Sequence, residues 1–216
     1  DLFSEIESAD LGMSYKTKSR INGIDERLLQ KMMSAGVDTI HSGVESVSQR
    51  TLDGMVKDVE VDSIRKAFDL MLNNGCRVNP VYMFGWPGET PEDLETNAKF
   101  IEEMGRREGV ITYVSFITPH PGSTLAESTR ESLQVLTNDY SRYTHKQPVA
   151  VPYSLGDNGL QLMVDHYHRI GEICDMEEVN PRIDKRYLDE LQRKKQVRSQ
   201  SQVPERRYVQ LEMHAA

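Results

Sequence analysis

Apolar residues along the first 125 positions alternate between two spacings. After Asp25, an N-cap type, Leu28, Leu29, Met32 and Met33 recur at helical intervals, and Gly36 stands where a C′ glycine ends a helix. Ile64, Phe68, Leu70, Met71 and Leu72 give a second apolar helix face over about Asp62 to Asn74, closed by Gly75. A third helix starts at Thr90-Pro91-Glu92-Asp93, with threonine as cap, proline at N1 and acids in the first turn. Leu94, Ala98, Ile101 and Met104 continue it. Ser46 with Gln49 three residues later reads as a capping box opening a further helix. Between the helices lie short β-type runs: Leu11 to Lys18, Val37 to Gly43, Arg77 to Phe84 and Val110 to Ile117.

This order predicts parallel βαβ units with right-handed crossovers, helices covering one side of the sheet and strand C-termini pointing to one rim. A Gly- or Pro-bearing segment follows three of the strands: Gly43-Val44-Glu45-Ser46, Gly85-Trp86-Pro87-Gly88-Glu89 and Pro119-His120-Pro121-Gly122-Ser123. In barrels of this kind the chemistry lies on that rim. Past Thr124 the rhythm stops. Thr144 to Gly159 is irregular, Leu160 to Met176 and Arg182 to Gln192 read as helices, and the polar, basic tail from Arg193 reads as disordered.

Composition narrows the classes. A net charge of −8 argues against non-specific nucleic-acid or anionic-membrane binding, and no apolar run reaches the roughly 18 residues of a span. Two distant cysteines, Cys76 and Cys174, are no disulfide framework, so a reducing cytoplasm is expected. His166 and His168, two apart on a helix, face different sides and form no metal pair.

Three segments together resemble the radical S-adenosylmethionine (SAM) superfamily. Ile40-His41-Ser42-Gly43-Val44-Glu45-Ser46 resembles its fourth strand and following loop. Met83-Phe84-Gly85-Trp86-Pro87-Gly88-Glu89-Thr90 resembles the fifth, and Ser115-Phe116-Ile117-Thr118-Pro119-His120-Pro121-Gly122-Ser123 the sixth. The likeness covers about residues 10–125 and is nearest the subgroup in which a cobalamin-binding domain precedes the barrel.

It implies an α/β fold: a partial (β/α) TIM-type barrel, about strands 3–6 of six, over 1–125. A mainly helical extension at 126–192 and the tail at 193–216 would follow. It also implies SAM and a [4Fe-4S] cluster as cofactors, with cobalamin a further candidate. An external electron donor and a small-molecule substrate would be the partners. The whole enzyme would reductively cleave SAM to a 5′-deoxyadenosyl radical, for methylation or rearrangement of its substrate.

The family's three cluster cysteines, C-x3-C-x2-C, are absent from these 216 residues. Truncation before Asp1, and hence an inactive fragment, is the simpler expectation; a cluster-free barrel is the other. By the same resemblance the cofactor-binding residues are Arg20, Glu45, Ser46, Met83, Phe84, Gly85, Pro119 and Gly122. Glu45 would accept from ribose hydroxyls or an ammonium, and Met83 and Phe84 would pack on adenine, with Gly85 allowing close approach. Arg20 would face the SAM carboxylate or the substrate. Pro119 and Gly122 would shape a turn beside adenine. For Ser46, helix capping outweighs ligand contact. Two other readings stay open: a different barrel enzyme holding phosphate at the Pro-His-Pro-Gly-Ser loop, and a non-catalytic barrel module.

Overall fold

The computed structural model describes residues 2–174, 176 and 183–200, in two compact units divided at Pro181/Arg182. In the first, α1 (Leu2–Ala9) leads to β1 (Tyr15–Ser19), α2 (Glu26–Ser34) and β2 (Val37–Glu45). Then come α3 (Gln49–Gly54), α4 (Val61–Asn73), β3 (Arg77–Phe84), α5 (Pro91–Gly105) and β4 (Tyr113–Phe116). A short α6 (Thr124–Ser128), an antiparallel pair β5 (Leu133–Val135) and β6 (Ala150–Pro152), and α7 (Gly159–Ile173) complete the unit.

The main sheet is parallel throughout, in the order β1-β2-β3-β4. Strand side chains alternate between faces, so register assigns each residue to one. Ile40 pairs with Val78, Ser42 with Pro80, Val114 with Tyr82 and Phe116 with Phe84. All of these are buried, and Phe116 meets Tyr167 of α7 with ring centroids 5.3 Å apart. This is the helix-covered face, filled from the other side by residues such as Ile64 and Phe68 of α4 and Leu94 and Ile101 of α5. On the opposite, open face lie Lys18, His41 and Asn79, then Val81, Met83, Tyr113 and Ser115.

The helix starts follow their sequence chemistry. The Asp25 side chain accepts from Leu28 N, and Thr90 and Asp93 form a reciprocal capping box. Ser46 is not a cap. The chain turns tightly at Glu45, with Ser46 N donating to Val44 O, and helical geometry begins only at Ser48, whose Oγ accepts from Thr51 N. The last segments also differ from expectation: residues 144–159 contain β6, which pairs with β5.

In the second unit, α8 (Lys185–Gln200) starts at Asp184, whose Oδ1 accepts from Arg186 N and Tyr187 N. The helix continues past Arg193 to Gln200. The rest of the polar tail, 201–216, and Arg182 lie outside the described residues. Among the described residues no helix is long and apolar enough to cross a membrane.

Candidate functional site

The C-terminal ends of β2, β3 and β4 form the rim. At the end of β2, Glu45 sits in the left-handed backbone region with φ +65°, where register against β3 slips between Gly43 and Glu45. A non-glycine residue pays for that conformation, so surrounding contacts must impose it. Two do. The bare Gly43 gives the side chain room, since a Cβ there would stand 2.7 Å from Glu45 Oε1. Lys57 then holds the same oxygen at 3.1 Å and lies 3.4 Å from Gly43 O. The result is a partly exposed carboxylate, fixed on the open face beside an ammonium. Lys57 is the residue that sequence reasoning missed. It lies in the turn after α3, twelve positions from its partner, and nothing in its neighbours signals the pairing.

Behind this carboxylate the rim is fastened by a buried polar chain. Glu89 Oε2 accepts from Gly85 N at 2.7 Å and Oε1 from Asn97 Nδ2 at 3.1 Å. Asn97 Oδ1 in turn accepts from Val47 N at 2.6 Å and Ser46 Oγ at 3.0 Å. Ser48 Oγ donates to Asp93 Oδ1 at 2.7 Å, and Arg50 pairs with Asp93. Burial pushes the Glu89 carboxyl up to about 8, against the lowering pull of the Gly85 N–H. Asp93 is also partly desolvated, but its bonds from Ser48, Thr90 and Arg50 outweigh this and hold it below the usual range. Glu89 therefore ties the β2 loop to the β3 loop.

Next to Glu45, the open face is apolar. Met83, Trp86 and Leu125 pack against buried Ile117, Leu133 and Ala150. Gly85 has φ +92°, and a Cβ there would come within 2.8 Å of Ile117 Cγ2, so only glycine suits this corner.

Of the residues singled out from sequence, Glu45, Met83 and Gly85 converge here. Ser46 is wholly buried by its bond to Asn97, and Phe84 is wholly buried on the helix face, so both serve the core rather than a ligand surface. Arg20 is exposed directly after β1. Pro119 is buried in the β4 loop, and Gly122, at φ +77°, turns that loop in open space. In the phosphate-cradle reading of this loop, several donors are already committed. His120 N bonds Thr118 O, Ser123 N bonds His120 O, and Ala126 N bonds the Ser123 side chain.

Metal chemistry finds no set of ligands in this unit. Among the described residues no three His, Cys, Asp or Glu side chains converge to hold an ion. Cys76 and Cys174 are buried free thiols, both pushed up by burial, and do not fit a cluster. His166 is committed to Leu162 O and Glu95 Oε2.

Known proteins resemble this chain in sequence and in fold. The chain is 28% identical over 155 residues to an uncharacterised methyltransferase of Pyrococcus horikoshii, covering 69% of this chain and 32% of the relative. It is 26% identical over 169 residues to the anaerobic magnesium-protoporphyrin IX monomethyl ester cyclase of Rubrivivax gelatinosus, covering 76% and 29%. It thus spans about a third of the length of these relatives.

Among solved structures, the radical SAM methyltransferase TsrM of Kitasatospora setae superposes with TM-score 0.52 at 18% identity, over 64% of this chain and 30% of that one. Coproporphyrinogen III oxidase of Escherichia coli, described as a radical SAM enzyme, gives 0.54 at 12% identity, over 78% and 35%. The family model that matches this α/β chain, over residues 4–101, is that of the radical SAM superfamily.

Proposed function

We propose that this chain supplies the ribose-and-adenine side of the SAM site in a radical SAM enzyme. The observation that carries the reading is Glu45: a strained, Lys57-held carboxylate next to the apolar floor of Met83, Trp86 and Ile117. A carboxylate accepts from two ribose hydroxyls, and the flexible Met83 and Trp86 offer apolar surface to a purine. Lys57 both orients Glu45 and brings a cation within reach of the carboxylate of SAM. Gly85 lets β3 turn tightly against Ile117 and Met163 at the edge of that floor. The buried Glu89–Asn97 chain fixes the spacing of the two loops, so these groups stand ready before the ligand arrives.

When bound, a [4Fe-4S] cluster supplies the electron that cleaves SAM. The residues of this chain do not fit that cluster, so its ligands belong elsewhere in an intact enzyme. Alone, the chain binds SAM without cleaving it. Methyl transfer or ring formation on a small-molecule substrate is the activity of the whole protein in this proposal, supported by the methyltransferase and cyclase relatives. Cobalamin is part of the same proposal, supported by the fold shared with the cobalamin-bound TsrM.

Calorimetric titration of the chain with SAM tests the reading. We expect measurable binding, at least tenfold weaker in Glu45→Gln and in Lys57→Met, with far-UV circular dichroism unchanged. A correctly folded chain that shows no SAM binding, or variants that bind as wild type, would sink it.

A further inference from the structure

We propose that the open face of the sheet, along β1 and beside Glu45, receives a substrate bearing carboxylate groups. This deepens the SAM-site reading and rests on it, because that reading makes this face the reaction chamber.

Three cations stand in alternate positions on β1 and just beyond it: Lys16, Lys18 and Arg20, all exposed. Alternation in extended chain puts all three on one face. Register fixes which face. Lys18 pairs with His41, and His41 with Asn79, whereas the helix-covered row runs through Ser19, Ser42 and Pro80. The cations therefore share the open face with Glu45 and Met83.

A same-sign stripe is notable in a chain of net charge −8. Arg65 and Arg169, on helices, and Arg107, just past α5, each meet a carboxylate. Neither Lys18 nor Arg20 does so among the described residues. Cations of one sign sharing a face raise the local concentration of anions there.

A second, independent observation lies on the same row. Asn79 is only 1% exposed, yet its amide nitrogen and oxygen both lack a hydrogen-bond partner among the described residues. Buried amides are ordinarily satisfied, so the row that carries Lys18 and His41 also holds an amide with no hydrogen-bond partner.

The spacing selects the ligand class. Positions two apart on a strand are roughly 7 Å apart, which suits two carboxylates of one small molecule. Arg20 offers the planar fork that grips a carboxylate in bidentate fashion, and Lys18 a point charge. Three cations along about 13 Å of one strand are too short a track for a nucleic-acid backbone, where phosphate contacts usually number more.

The test uses citrate as the probe and its uncharged triethyl ester as the control, titrated into the chain by calorimetry, with SAM titrated separately. Expected results are citrate binding that weakens with salt, no binding of the ester, and at least a tenfold loss in the Lys18→Gln/Arg20→Gln variant. The Lys66→Gln/Lys99→Gln variant, altered on the helix side, should stay within twofold of wild type, and melting curves should show both variants folded. Equal binding of the ester, an undiminished Lys18→Gln/Arg20→Gln variant, or an equal loss in the helix-side control overturns the proposal. So does transfer RNA that displaces citrate and itself loses binding in the β1 variant. If SAM binds while citrate fails, the carboxylate site alone is wrong. If citrate binds while SAM fails, the SAM reading is the one that falls.

Discussion

The two ends of the rim are built on opposite terms. Between β2 and β3 the loops are closed by a buried chain running from Gly85 through Glu89 and Asn97 to Ser46 and Val47. Beyond β4 the loop carrying His120, Pro121 and Gly122 is exposed. It uses several of its donors locally, and His120 meets His145 edge-on at 5.2 Å and Tyr143 at a tilt, 6.0 Å away. The first region has no freedom to reshape without exposing unpaired groups; the second has little to lose. A rigid half suits an invariant cofactor, and a self-contained loop suits contacts that vary with substrate.

Removing the keystone of the rigid half should give the largest effect. Asn97→Ala strands Ser46 Oγ, Val47 N–H and Glu89 together, and we expect a loss of about 3 kcal/mol, or a melting temperature lower by about 6–12 °C. A loss below about 1 kcal/mol would mean that the two rims do not differ in this way.

Alanine at two glycines compares the regions directly. Gly85→Ala combines positive φ with a Cβ driven against Ile117 and should cost about 2–3 kcal/mol. Gly122→Ala has the same sign of φ but open space around it and should cost about 1 kcal/mol. Chemical denaturation of the pair ranks them, and the reverse order would break the comparison.

The pH response sharpens it further. The Glu89 carboxyl titrates near 8 in the folded chain, above its ordinary 4.5, so the folded state keeps a proton that the unfolded state has released. Stability from this group therefore falls as pH rises from about 4.5 to about 8, by at most about 1.4 kcal/mol per pH unit. Glu89→Gln should flatten that part of the stability-versus-pH curve, and a curve parallel to wild type would show that Glu89 is not buried as described.

The smallest stability effect belongs to the site itself. Glu45→Gly relieves the left-handed strain and loses only a partly exposed ion pair, so the melting temperature should hold or rise slightly while SAM affinity drops at least tenfold. A drop in stability together with affinity would make Glu45 a structural residue.

Much of this frame was legible in the sequence, because it rests on signals confined to a few consecutive residues. Arg77 to Phe84 is β3 to the residue, and Thr90-Pro91-Glu92-Asp93 forms the capping box. The site was legible only where it is local. Ser46 and Ser48 both carry a capping side chain, and the choice between them depends on the positive φ at Glu45, which no neighbouring residue announces. Glu89 meets Asn97 eight positions away, and Asn97 meets Ser46 fifty-one away. Such partners are chosen by how α5 lies across the sheet, not by spacing along the chain. β5 and β6, three residues each, are too short for any period to register.

The lysines of β1 have a consequence beyond ligand capture. β1 is an outer strand of the described sheet, its pairing to β2 already slips at Tyr15/Lys16, and two of its five side chains are charged. A neighbouring copy that tried to extend the sheet there would have to bring its own like charges alongside Lys16 and Lys18. The strand that invites an anion thus also refuses its own likeness, and discourages the edge-to-edge stacking through which exposed strands become fibrils.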